Sequence, residues 1–440
     1  MSITRSINGT VIAVMVVWNG KDFLCQAIDS VLQTLRSEDD FLIVDNGSTD
    51  GSFELIRQEY PDVAVLQTHN NLGGAGGFNA GVSFALQSER CKYVWLLDND
   101  ILVDACALQP LINVLESNFH AAAVGSQICI FDSPDTIQEI GANYSPWLGT
   151  LQTLHTGEQR LPVGTAPYRV DYLAACSLLI KSEVIRNEGL FKDFFVFYDD
   201  VEWGLRINQM GLELWAVPSS VIWHHFNILK PTIPWREYYK KRNHAVCLAM
   251  HPPKKGKVFA LWIYLVALNF RIFVFKHHNQ TILYDVYRQA LMDFLNCKLG
   301  QHDMPDYFID SSSINHNSKK YYIDIKKIGD ALTAIRQVYT QYPDSNFYLA
   351  RNQHAILHEL APRLIKDMPE AGTATAIVDD DFCFNTLRKC SKLYRYHLGK
   401  FQHLDDPYYF FVKNLVIRVA GFLYGVWKSS AQINTALRNY

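Results

Sequence analysis

The chain has 440 residues, 49% hydrophobic and 19% charged, which excludes a disordered or low-complexity protein and points to two or three domains. Lys plus Arg number 41 and Asp plus Glu 44, and the net charge of −3 speaks against a nucleic-acid binder, which carries a clear basic excess. Aromatic residues reach 13%, enough for a large core, for sugar-stacking faces or for a membrane interface, and composition alone does not choose among these.

The N-terminal stretch MSITRSINGT is polar and reads as no signal peptide. From there the sequence alternates. The runs VIAVMVV (11–17), FLIVD (41–45), VAVLQ (63–67) and YVWLLD (93–98) are continuously apolar, as in parallel strands buried on both faces. Stretches near 22–36, 51–59, 74–88 and 105–118 have helical periodicity. This predicts an α/β sheet of the Rossmann-like type, in which ligands bind beyond the carboxyl ends of the strands. The pattern then becomes mixed, with strands expected at 122–130, 170–175, 213–217 and 220–224. After residue 234 it turns helical, including the apolar run Val258 to Phe275, ILYDVYRQALMDFLN (281–295) and an aromatic-rich helix at 408–428. Residues 1–250 are therefore expected to form an α/β domain and 251–440 a mainly helical region. SSSINHNSKK (311–320) is linker-like.

Asn269 and Arg271 interrupt the apolar run, leaving too few clean residues to cross roughly 30 Å of hydrocarbon, so a buried or interfacial helix is expected. Between Lys230 and Lys276 stand ten basic residues and one acid, Glu237, a pattern suited to an anionic leaflet, or equally to a solvated face. The nine cysteines are scattered and include no C-x-x-C pair, so a reducing compartment and no zinc ribbon are expected, with Cys25, Cys129 and Cys247 as core residues.

Five polar clusters carry candidate chemistry. Asp45, ending the second strand in DNGSTDGS, can accept hydrogen bonds from a base or a ribose, while Ser48 and Asp50 are expected to cap the next helix. Asn71, Gly73, Asn79 and Gly81 lie in a glycine-rich segment after the third strand, where a helix start can hold an anion. Asp98 and Asp100 flank Asn99 at the end of the fourth strand, a pair able to hold Mg²⁺ or Mn²⁺, or simply to form a turn. Asp379-Asp380-Asp381 has similar composition without the sheet context and reads as a solvated turn. Asp199 and Asp200 open a helix amid Phe197, Tyr198 and Trp203, as capping acids or as a general base beside a sugar-binding floor. Glu202 and Arg206 form an i, i+4 pair. His224 becomes a metal ligand if it meets Asp100.

In order and strand-end placement, these elements over about residues 10–250 resemble glycosyltransferase family 2, inverting enzymes of the GT-A fold. YDDVEWGLR followed by Trp-His resembles the bacterial galactofuranosyltransferase branch, and REYYKKRN (236–243) a segment shared with rhamnosyltransferases. The resemblance implies that Asp45 contacts the nucleobase and that Asn71, Gly73, Asn79 and Asp98 bind the donor. It further implies that Asp98, Asp100 and His224 hold Mn²⁺ or Mg²⁺, that Asp200 is the general base, and that Asp199, Tyr198 and Trp203 bind sugar. Val16-Val17-Trp18-Asn19 departs from the usual Thr-Tyr-Asn. The expected partners are a UDP- or dTDP-sugar, a polysaccharide or glycolipid acceptor and an anionic membrane surface on the cytoplasmic side, with a homo-oligomer left open. A sugar nucleotidyltransferase would require a Gly-rich basic loop after the first strand, and a non-catalytic assembly protein would have lost a carboxylate; neither feature is present.

Overall fold

The computed structural model describes residues 2–225, 233–277, 280–302, 320–324, 346–349, 364–365, 374–378, 390–397, 400–403 and 407–439. Its centre is a mixed sheet with helices on both faces, the arrangement expected of a GT-A domain. Strands β1 (Ser2–Ile3), β2 (Val11–Val17), β3 (Asp40–Asp45), β4 (Ala64–Gln67) and β5 (Tyr93–Asp98) lie in the order β1-β4-β3-β2-β5. The pairs β4/β3, β3/β2 and β2/β5 are parallel. The period-2 alternation of β2 divides the core: Ile12 and Val14 face one cluster with Leu42 and Phe78, while Val11, Ala13 and Met15 face the other with Leu24 and Ile28. Helix α1 (Lys21–Thr34) buries Leu24, Ala27, Ile28 and Val31, the i, i+3, i+4, i+7 stripe of an amphipathic helix.

Helices α2 (Ser52–Glu59), α3 (Gly73–Ala85) and α4 (Leu108–Ser117) fall close to expectation. In α3 the glycines seat the helix directly on the sheet: a Cβ at Gly81 would stand 2.5 Å from Val14 Cγ1 and 2.6 Å from Val44 Cγ2. The cap before α2 differs from expectation. Ser48 Oγ accepts from Asn19 N–H, and Asp50 alone serves the helix start, its Oδ1 accepting from Ser52 N–H at 3.0 Å.

Beyond β5 the sheet continues through β6 (Ile101–Val103), β7 (Ala121–Ile130), β11 (Tyr168–Val170), β12 (Ser177–Lys181) and β13 (Glu213–His224), with β8 (Ser133–Glu139) on its edge and the short hairpin β9 (Ala142–Tyr144)–β10 (Leu151–Thr153) forming a separate pair. Two expectations need correction. Of the strand expected at 170–175 only Val170 lies in one, as the end of β11; residues 171–176 connect β11 to β12, which inserts antiparallel between β5 and β7. The two runs expected at 213–217 and 220–224 are one strand, β13, with its register to β7 shifting between Val217 and Val221. Helix α5 (Ser182–Glu188) and α6 (Asp199–Gln209) follow β12.

The helices α7 (Pro234–Met250), α8 (Lys257–His277) and α9 (Thr281–Leu295) build a second core with Phe194. The segment Val258–His277 of α8 is apolar and long enough to cross a bilayer by length and composition, contrary to the expectation drawn from Asn269 and Arg271. Its packing is that of a protein helix all the same: Asn269 is buried and its amide donates to Ser429 Oγ at 3.0 Å and Gln432 Oε1 at 2.8 Å of α10 (Pro407–Asn439). The C-terminal region is not helical throughout. Six strands, β14 (Lys320–Asp324), β15 (Asn346–Leu349), β16 (Leu364–Ile365), β17 (Ala374–Val378), β18 (Cys390–His397) and β19 (Lys400–His403), form a further sheet that is parallel except at β18/β19. The linker-like 311–319 and the acidic 379–381 lie outside the described residues. Cys129 and Cys247 are buried as expected; Cys25 is partly exposed.

Candidate active site

Strand register assembles the acidic cluster. β6 pairs antiparallel with β13 so that Ile101 stands opposite His224, which places the imidazole against the residue just before β6. His224 Nε2 lies 3.2 Å from Asp100 Oδ1, and its Nδ1 is 2.9 Å from Gln138 Oε1. The contact with Gln138 orients the ring so that Nε2 faces the acids. Candidate ligand atoms of Asp98, Asp100 and His224 lie within 4.8 Å of one another. Burial, reinforced by the charges of Asp100 and Asp200, pushes the Asp98 carboxyl up to about 7. Burial works against protonation of His224, but the hydrogen bond and charge of Asp100, with Asp98 and Glu139 beyond, outweigh it and raise its pKa. Two carboxylates and one imidazole form a hard oxygen–nitrogen set that fits Mn²⁺ or Mg²⁺.

Asp199 and Asp200 face this cluster across a cavity of about 520 Å³, whose lining includes Asp98, His224, Tyr198, Asp199, Asp200 and Glu139. Asp200 is held on both oxygens: Oδ2 accepts from Tyr172 O–H and Ala175 N–H, each at 3.2 Å, and Oδ1 from Val201 N–H at 2.8 Å. Burial raises its pKa, and these hydrogen bonds partly offset the shift. Asp199 is pushed well above the carboxylate range by burial and by the neighbouring Asp200. The ring of Tyr198 is stacked on His244 at 5.0 Å.

Other expected residues serve the scaffold. Trp203, read as part of the sugar floor, is 1% exposed; its indole N–H donates to Gly189 O at 3.1 Å and its ring lies in the core. Positions three and four apart share a face of a helix, so Trp203 stands one turn, about 5 Å, further along α6 than Asp199 and Asp200, beyond the cavity they line. Asn79 commits its amide to the backbone of Phe191, donating to its O at 2.7 Å and accepting from its N–H at 3.1 Å. Asp45 is fully buried, its Oδ1 accepting from Ser48 N–H and its Oδ2 from the Gln67 amide. Asn71 Oδ1 accepts from Gly73 N–H at 2.8 Å, closing the turn into α3. Glu202 pairs with Arg206 at 3.1 Å as expected, and also with His251 at 2.9 Å.

Several cavity residues are not among the expected site residues. Glu139 arrives from β8, an edge strand without an apolar pattern. Its carboxyl is pushed up to about 7 by burial and by the charge of Asp200. Lys240, Lys241 and His244 enter from α7. The first two belong to the basic stretch read as suited to an anionic leaflet or equally to a solvated face; they line the cavity, and Arg242 is 1% exposed.

A strand-end acidic cluster facing a helix-opening acid pair across one cavity, on a mixed α/β sheet, defines the class of site, and the sequence comparisons agree. Residues 12–176 match the family described as "Glycosyl transferase family 2". Galactofuranosyltransferase GlfT2 of Mycolicibacterium smegmatis is 25% identical over 207 residues, covering 42% of this chain and 32% of the relative. Galactofuranosyltransferase GlfT1 of Mycobacterium tuberculosis is 33% identical over 213 residues, covering 46% of this chain and 66% of the relative. N-acetylglucosaminyl-diphospho-decaprenol L-rhamnosyltransferase of the same species is 26% identical over 208 residues, covering 42% and 66%. The chain thus spans about a third of the length of the GlfT2 relative.

Proposed function

We propose that the protein is an inverting glycosyltransferase that moves a sugar from a nucleoside-diphosphate donor, UDP-galactofuranose being favoured, to a hydroxyl of a growing, lipid-linked surface polysaccharide. The observation that carries this reading is the placement of Asp199 and Asp200 across one cavity from Asp98 and His224. The galactofuranosyl preference is supported by the named relatives and by YDDVEWGLR. dTDP-rhamnose is the second reading, favoured by the rhamnosyltransferase relative.

In this reading Asp98, Asp100 and His224 hold Mn²⁺ or Mg²⁺, which when bound supplies positive charge against the diphosphate leaving group. Asp200 takes the proton from the acceptor hydroxyl as that oxygen attacks the anomeric carbon. Burial raises its pKa above that of an ordinary carboxylate, which makes it a stronger proton acceptor. The hydrogen bonds from Tyr172 and Ala175 aim the carboxylate without neutralising it. Asp199 and Tyr198 position sugar hydroxyls, and one displacement inverts the carbon. Lys240 and Lys241 add positive charge to the wall beside α6.

The test is a pair of variants assayed with Mn²⁺ and UDP-galactofuranose. Asp200→Asn is expected to lose transfer by at least about 10²-fold, the scale of a general base, while UDP still binds. Asp98→Asn is expected to lose Mn²⁺-dependent UDP binding itself. Near-normal turnover by the first variant would refute the base, and unchanged binding by the second would refute the metal site.

The expected anionic membrane partner fits one surface. Phe259 and Ile263 of α8 and Val419, Leu423 and Trp427 of α10 are exposed, Trp427 at 67% and Leu423 at 63%. Lys254 and Lys255 precede α8, and Lys428 lies over the Trp427 ring at 5.8 Å. Apolar stripes edged by lysines suit an anionic leaflet, and we read the chain as peripheral on the inner face of the cytoplasmic membrane.

A further inference from the structure

The five residues before the acid pair, Phe194-Phe195-Val196-Phe197-Tyr198, form a strap in an unusual backbone state. Phe195, Phe197 and Tyr198 have φ of 67°, 63° and 68°, in the left-handed region that bulky side chains rarely adopt. Tyr198 is the residue from which α6 starts, so the strap's conformation sets where Asp199 and Asp200 stand. Such a conformation persists only where the surroundings over-determine it.

The surroundings are two buried side chains of α7. Asn243 is 0% exposed, and its Nδ2 lies 3.1 Å from Phe194 O, 2.9 Å from Val196 O and 2.8 Å from Phe197 O. Arg242 is 1% exposed; its Nη2 donates to Phe194 O at 3.0 Å and its Nη1 to Gly300 O at 2.9 Å. The opposite side of the strap is tied to the glycine-rich helix: Ala75 N–H donates to Phe195 O at 3.2 Å, and Gly73 approaches that carbonyl so closely that no Cβ fits. Rings complete the hold, with Phe195 stacked on Tyr239 at 5.1 Å and Lys240 Nζ 5.0 Å over Phe197. The strap thus bridges the start of α3, the start of α6 and the middle of α7, and Val196, Phe197 and Tyr198 line the cavity between them.

We propose that Asn243, with Arg242, is a positioning residue: it holds the strap in its strained form and thereby fixes the acid pair and the aromatic wall relative to the donor side. Neither side chain touches the cavity, so the effect is exerted through the strap. The inference rests on the reading of Asp200 as base for its activity arm alone.

The experiment uses the full chain with Asn243→Ser, which keeps one short donor, and Arg242→Lys, which keeps the charge and one donor. Hydrogen exchange is followed by mass spectrometry, together with kcat, KM and UDP affinity in Mn²⁺. In both variants amides of 194–202 are expected to exchange at least tenfold faster, while those of β2 and β5 are unchanged. kcat is expected to fall at least tenfold, with UDP affinity within threefold of the parent. Unchanged exchange in 194–202, or loosening with kcat preserved, would overturn the proposal. So would a loss of UDP affinity matching the loss in kcat, which marks a general fold support. Should Asn243→Ser fail to fold, Arg242→Lys carries the same readouts. Turnover retained by Asp200→Asn, with a loosened strap and reduced kcat here, removes the base assignment and leaves the positioning role intact.

Discussion

Glu139 has no sequence signature, yet it stands in the cavity with its carboxyl pushed up to about 7 by burial and by the charge of Asp200. A carboxyl whose pKa is higher folded than unfolded binds its proton more tightly in the native state. Its favourable contribution is complete below the unfolded value of 4.5 and disappears as pH rises toward 7. Glu139→Gln is therefore expected to raise stability at pH 8 by about 1 kcal/mol, a few degrees of Tm, and to leave it unchanged at pH 4. Thermal unfolding at both pH values checks this, and a gain at pH 4 alone would contradict it. Trp203 illustrates the opposite case at the same scale. Sequence proximity to Asp200 suggested a ligand contact, but Trp203 stands one turn further along α6 and its ring packs into the core.

Among the elements, the parallel strands and their helices were the most legible part of the sequence. β2, β3 and β5 are buried on both faces, so their apolar runs have no competing reading as half-exposed strands. The connection 171–176 was misread because it too is apolar: Leu173, Ala175 and Cys176 are buried without belonging to a strand. Burial sets hydrophobicity, and strand pairing is decided by partners far along the chain. The glycine-rich α3 shows the same division. Its helical periodicity is legible in the sequence, whereas the use of its glycines, close contact between helix and sheet, is not. Gly81→Ala is expected to destabilise the protein by about 1–3 kcal/mol, because overpacking against Val14 and Val44 exceeds the roughly 1 kcal/mol gain in helix propensity. A urea midpoint at or above that of the parent would show that α3 accommodates the methyl group.

At the scale of the whole molecule, α8 and α10 cross antiparallel, with Trp262 donating to Ser430 Oγ near one end and Phe273 against Tyr424 near the other. The outward stripes of the pair are apolar, and the proposed occupant is an anionic bilayer. Leu423→Asp with Trp427→Asp is expected to reduce co-sedimentation with phosphatidylglycerol vesicles at least tenfold, while neutral phosphatidylcholine vesicles bind the parent weakly at physiological salt. If the parent binds neither vesicle and sediments as a dimer that the substitutions dissociate, the surface is an interface between copies instead.

By itself the sequence determined the α/β sheet up to β5, the strand-end acids and the acid pair opening α6, because local patterning and continuous burial leave their mark residue by residue. Tertiary structure alone decided that His224 meets Asp100, through the register of β6 on β13. It also brought Glu139 and the α7 lysines to the cavity, and placed Asn243 under a strap 46 to 49 residues away. These are contacts between distant segments, and what fixes them is the geometry of closure, which no single segment contains.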